Sequence, residues 1–157
     1  GMRGELEAVN GLLVLVPALL ATRGNVYGSL GARLATGLHQ GLIEPRVDWA
    51  DERLRGAVGA ALGNGVLVSV FAATVAWTVL TLGNANPASL TTLAAIAMTA
   101  GLLSGIALTV AVVTVVFAGY RRGLNPDTLV GPIVTTTGDV FGIAFLLLAT
   151  RFVLGVT

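Results

Sequence analysis

Asp139 is the one acid within a long apolar stretch, residues 129–154. A carboxylate at bilayer depth costs at least ~2.5 kcal/mol on insertion scales, so such a group normally serves a proton, an ion or a hydrogen-bonding partner. Pro132, Thr135, Thr136 and Gly142 lie at i−7, i−4, i−3 and i+3 from it, spacings that put them on its face of a helix. The remainder of the stretch, including Ile133, Val140, Phe145 and Leu147, is apolar. An acid on a stripe of hydroxyls and small residues points to a cation path. The competing interpretation is a structural acid that hydrogen-bonds a neighbouring helix.

A second polar stretch interrupts the first apolar segment. Leu12 to Leu20 is greasy and runs into Ala21-Thr22-Arg23-Gly24-Asn25-Val26-Tyr27-Gly28-Ser29. Gly24 and Gly28 form a GxxxG step, which lets helices approach closely or lets backbone carbonyls face a cavity. Asn25 and Ser29 share one face, Arg23 and Tyr27 another. Pro17 frees the carbonyl of Leu13, because its ring nitrogen cannot donate. Taken alone, this segment also fits a packing helix whose Arg23 snorkels to the interface. Gly101 and Gly105 repeat the small-residue spacing, and Gly63-Asn64-Gly65 reads as a kink or a polar contact, with packing favoured.

The elements that carry these residues follow from composition. Of 157 residues, 55% are hydrophobic and only 11% charged, with a mean hydropathy of +0.87, whereas soluble domains average about 25% charged. The chain reads as an all-α membrane protein, one transmembrane domain over 1–157, with helices at 9–38, 49–82, 87–120 and 126–155. Each exceeds the ~20 residues needed to cross hydrocarbon. Asn86-Pro87 and Asn125-Pro126 place an N-cap before a proline at the first helical position, and Asp48 to Glu52 puts acids at the start of the second helix. There is no cysteine and a single histidine, His39, so thiolate and multi-histidine metal sites within one chain are excluded. No Ser-His-acid set, HExxH or phosphate-binding glycine loop is present, which argues against an enzyme. With a net charge of +1 and no basic tract, nothing points to nucleic acid.

Arginine placement sets the expected topology. Arg46, Arg53 and Arg55 flank the first connection, and Arg121 and Arg122 the third, whereas the middle one is uncharged. The positive-inside rule puts 39–53 and 121–125 in the cytoplasm and the C-terminus outside, with Trp49 and Tyr120 at the inner interface and Trp77 towards the outer one. The N-terminus then also lies outside, an arrangement that a further helix ahead of the first would relieve. A truncated or processed chain is expected on this ground, with Gly1 to Glu5 as a remnant before an internal start.

Pro17-Ala18-Leu19-Leu20-Ala21-Thr22-Arg23-Gly24-Asn25 resembles the P-x-L-L-x-x-x-G-N segment in the second helix of MgtE-type magnesium channels and the related animal solute carriers. Asn125-Pro126, Pro132, Thr136, Asp139 and Gly142 are similar to the pattern of that family's last helix, (D/N)P-x-x-x-x-x-P-x-x-x-(T/S)-x-x-D-x-x-G. The resemblance implies a five-helix domain, of which four helices are seen here, and a homodimer with a pore at its two-fold axis. It further implies Asp139 as the pore acid for a hydrated ion, with Gly24, Asn25, Thr135 and Thr136 around it and Gly28, Gly131, Pro132 and Gly142 as pore-lining candidates. The implied ion is Mg²⁺, with Mn²⁺ and other divalent cations as alternatives, and the implied location is the plasma membrane. Gly28 and Gly131 stand where the bacterial channels carry asparagines, and Arg23 precedes Gly24-Asn25 as a basic residue does in the animal carriers. The cytosolic sensor domains of the bacterial channels are not represented. The function expected is therefore divalent cation transport. The alternatives are a non-transporting membrane assembly subunit and a proton- or sodium-coupled carrier of another solute.

Overall fold

Short polar side chains set the helix starts in the computed structural model, which describes residues 9 and 11–155. Asp51 accepts from the backbone N–H groups of Arg53 and Leu54 and opens α2 (Glu52–Leu82); Ser89 accepts from Thr92 and opens α3 (Leu90–Arg121); Asn125 accepts from Asp127 and opens α4 (Pro126–Leu154). The remaining helix, α1 (Leu12–His39), follows Gly11, whose φ of 108° lies in the left-handed region that favours glycine. Two expected caps are displaced. Asp48 accepts from Ala50 within the preceding turn, so the acid that caps α2 is Asp51. Likewise α3 starts after Ser89 and not at Asn86-Pro87, three residues later than expected. The proposed remnant at Gly1 to Glu5 lies outside the described residues.

The helices are 28, 31, 32 and 29 residues long, and all four are long and apolar enough to cross a membrane. Helix α1 packs against the other three, and α3 does the same, whereas α2 and α4 do not touch. Helices α1 and α3 thus form the diagonal of the bundle, flanked on opposite sides by α2 and α4. Connections 40–51 and 122–125 share one end, where Arg121 donates from Nε to the carbonyl of Pro45 and His39 meets Tyr120 edge-on at 5.5 Å between ring centroids.

Apolar side chains are buried in two clusters, one towards each end. The first joins Leu30, Leu34, Leu54, Ala61, Val116, Phe117 and Val134. The other joins Leu12, Leu15, Leu19, Ala73, Ile96, Ala100 and Leu146. Close approach of α1 to α4 depends on Gly31, where an added Cβ would stand 2.8 Å from Cγ2 of Val130 and nearer still to Cγ1. Val130 is stiff about χ1 and cannot swing away freely. Gly31→Ala should therefore cost about 1–3 kcal/mol through overpacking, read as a lower thermal midpoint in detergent. Val130→Ala in the same chain should recover part of that loss, whereas additive losses would contradict the contact.

Candidate functional site

Between the two apolar clusters lies a layer of small and polar residues at mid-bundle. Helix α1 contributes Thr22, Arg23, Gly24 and Asn25; α2 contributes Asn64, Gly65 and Ser69; α3 contributes Gly101, Ser104 and Gly105; α4 contributes Gly138, Asp139 and Gly142. Its hydroxyls are tied back to their own helices. Thr22 donates to the Ala18 carbonyl (2.9 Å), Ser69 to Gly65 (2.8 Å), Ser104 to Ala100 (2.6 Å) and Thr135 to Gly131 (3.0 Å). Such i−4 bonds are the usual way a hydroxyl is satisfied in an apolar helix.

Asp139, near the midpoint of α4, is exposed and borders a cavity of about 280 Å³ between α4 and α1. Gly24, Leu20 and Ala21 of α1 and Val134, Thr135 and Gly138 of α4 complete its wall. Three of the residues expected at a cation site, Asp139, Gly24 and Thr135, are thus brought together. The missing side chain of Gly24 leaves open space, with no atom within 4 Å of an added Cβ. Asp139 has no ion-pair or hydrogen-bond partner among the described residues.

Asn25 is placed differently. It lines a separate cavity of about 550 Å³ on the other side of α1, facing α2, together with Thr22, Ser29, Arg33 and Asn64. Asn64, within the segment expected as a kink, a polar contact or a packing site, is exposed there. Thr136, Gly131 and Pro132 are exposed on α4 outside both cavities, and Gly28 is half-buried with open space at its Cα. Ala21, Asn25, Gly28 and Ala32 follow one another at helical spacing along the uncovered face of α1.

Gly142 faces inward. An added Cβ would overlap Nη1 of Arg23 and stand 2.6 Å from Cδ2 of Leu20. Arg23 does not snorkel: it is 6% exposed, and its Nε and Nη2 have no hydrogen-bond partner. Tyr27, one turn further along, is 1% exposed, with its hydroxyl wedged between Gly65 and Gly105. The signal that would have located both side chains is the glycine pattern on the three facing helices. Among the described residues no three His, Cys, Asp or Glu side chains gather as a metal cage.

These features define a multi-pass helical membrane protein with a polar middle layer. The family described as "MgtE: Divalent cation transporter" matches residues 16–149, and the chain belongs to it. Solute carrier family 41 member 3 of Rattus norvegicus is 28% identical over 149 residues, covering 92% of this chain and 31% of that protein. Solute carrier family 41 member 2 of Xenopus laevis is 30% identical over 142 residues, covering 86% and 24%. The chain therefore spans less than a third of the length of these relatives. No solved structure matches it significantly.

The chain has no cysteine, so single cysteines report on the cavities directly. Thr135→Cys and Asn25→Cys in reconstituted membranes should react with a small water-soluble thiol reagent. Leu108→Cys, deep in the first apolar cluster, should resist it. Equal protection of all three would remove the case for two wetted cavities.

Proposed function

We propose that this chain is the transmembrane domain, residues 1–157, of a divalent cation transporter, and that Asp139 is its ion-binding carboxylate. The observation that carries this reading is the exposed, unpartnered Asp139 beside the Gly24 and Thr135 cavity at the middle of a membrane bundle. A carboxylate there is too costly to leave facing lipid. Family membership supports divalent cation transport as the reason it is kept, with Mg²⁺ as the proposed ion and Mn²⁺ or another divalent cation as the alternative.

Size and charge agree. Mg²⁺ holds an octahedral water shell and dehydrates reluctantly. Six waters at ~30 Å³ each occupy ~180 Å³, which fits within the cavity of about 280 Å³. One carboxylate balances half the ion's charge, and a homodimer with Asp139 of each copy near a two-fold axis supplies the second. The uncovered stripe of Ala21, Asn25, Gly28 and Ala32 on α1 suits the close approach of a second copy. Thr136, Gly131 and Pro132 then lie along the path beside the ion, Gly142 supports it from behind, and Asn25 borders the separate cavity on the α2 side of α1 as a further pore-lining candidate. The fifth helix implied ahead of α1 belongs to the same proposal. So does a plasma-membrane orientation with the arginine-bearing connections 39–53 and 121–125 in the cytoplasm and the C-terminus outside.

The first test is thermal stability of the purified protein against Mg²⁺, with Na⁺ at matched ionic strength. Ligand binding to the native state must raise stability with concentration, by about 2.7 kcal/mol at a hundredfold excess over Kd. The rise should vanish in Asp139→Asn, and so should Mg²⁺ flux into liposomes. No rise in either protein would favour an assembly subunit in which Asp139 only bonds a neighbouring helix. Dimerisation has its own readout: Thr136→Cys should form an intermolecular disulfide on mild oxidation, and a chain that stays monomeric in membranes would remove the two-fold site.

A further inference from the structure

Arg23 is the least satisfied group in the bundle. Its guanidinium lies over Gly142, where a Cβ would otherwise stand, and Nε and Nη2 are buried without a partner. The adjoining void, lined by Thr22, Tyr27, Gly65, Ser69 and Gly101, measures about 10 Å³, room for at most one water. The hydroxyls of Thr22 and Ser69, which line the same void, donate to their own helices, and neither accepts from Nε or Nη2 of Arg23. A buried charge left unpaired is strongly destabilising.

Asp139 is the one acid in the interior of any described helix; Glu52 and Asp127 sit in first turns. It is three residues before Gly142 on α4, a spacing that separates Cβ positions by ~5–6 Å. Its cavity is walled by Leu20, Ala21 and Gly24, the α1 residues that bracket Arg23. One turn of helix therefore separates an unpaired cation from an unpaired anion, and a rotamer change of a long, flexible arginine spans that distance.

We propose that Arg23 is the internal partner of Asp139 in the cation-free protein, so that the guanidinium and the incoming divalent ion compete for one carboxylate. The pocket over Gly142 gives Arg23 a place to rest when it is not on Asp139; the incoming ion displaces it there, and departure of the ion lets the arginine swing back. The arginine thereby weakens resting affinity, helps eject the ion, and keeps the empty site neutral. This rests on the assignment of Asp139 as the ion-binding carboxylate.

A double-mutant cycle of Arg23→Gln and Asp139→Asn, read by thermal stability in a chelator and again in saturating Mg²⁺, tests it. In the chelator the two changes should be clearly non-additive, with the double variant losing less than the sum of the singles. Arg23→Gln alone should lower the Mg²⁺ concentration for half-maximal stabilisation several-fold, and Arg23→Lys, which keeps the charge, should lower it less. Should Arg23→Gln fail to fold, the double variant is expected to recover folding, since it removes both charges. Additive losses in the chelator, an unchanged Mg²⁺ midpoint, or a double variant no better folded than Arg23→Gln each overturn the competition. Asp139-dependent stabilisation by Mg²⁺ alongside additive losses sinks the competition and leaves the transport assignment standing. Absence of any Mg²⁺ stabilisation in the unmodified protein overturns both.

Discussion

Hydrocarbon offers no hydrogen bonds, so every polar group at mid-bundle must find its partner inside the protein, in water or in an ion. This requirement organises the whole middle layer. The two apolar clusters hold the helix ends together and ask only for shape. Between them, Tyr27 and Arg23 are admitted because Gly65, Gly105 and Gly142 carry no side chain where these two long groups lie. Filling those positions would push α1 away from α2, α3 and α4 together, since α1 touches all three. The glycines on three helices thus act as one unit, with α1 as the element they accommodate.

Magnitudes separate the ordinary members of the layer from the unusual ones. A hydroxyl that donates to its i−4 carbonyl contributes about 1 kcal/mol or less and is common in membrane helices. Thr22, Ser69 and Ser104 are of this kind and do not single out a site. A buried, partnerless charge costs several kcal/mol in a low-dielectric setting. Among the described residues Arg23, closed in with Nε and Nη2 unpartnered, is on that scale, while Asp139 is unpartnered but open to a cavity. A chain that keeps both, one helical turn apart, gains little if either is merely structural, because an apolar pair of similar volume would pack at least as well.

Much of the architecture is legible in composition. Four helices follow from hydrophobic length, and the cap at Asn125-Pro126 follows from local chemistry that needs no tertiary information. The displaced caps show where local reasoning stops. Asp48 and Asp51 are both capping residues by type, and so are Asn86 and Ser89; the chain's path across the end of the bundle decides which one the helix uses. At the site, the motif resemblance linked Asp139 with Gly24 and Thr135, which share a cavity wall. It also grouped Asn25 and Gly142 with them. Asn25 follows Gly24 by one residue, hence about 100° around α1, which turns it towards α2. Gly142 is three residues past Asp139, close enough in angle to share its stripe and yet turned far enough to meet Arg23. Helical periodicity places residues on a face, but the rotation of that face against its neighbours is a property of the packed bundle.

That rotation also explains why Arg23 could not be located from its own segment. An arginine about one and a half turns beyond a proline, in a helix rich in small residues, reads as snorkelling when its helix is considered alone. Its burial depends on Gly142, more than a hundred residues away in sequence, and Gly65 and Gly101 of two further helices line the void beside it. A snorkelling arginine would leave Asp139 as the sole charge of the middle layer, a permanent trap for any divalent cation that entered. A buried arginine one turn away changes the electrostatics from a fixed negative site to a balanced pair whose net charge is zero. Under the proposed competition, that difference decides whether an ion is held or handed on, because conduction and release both require a site that binds well enough to admit an ion and weakly enough to let it leave.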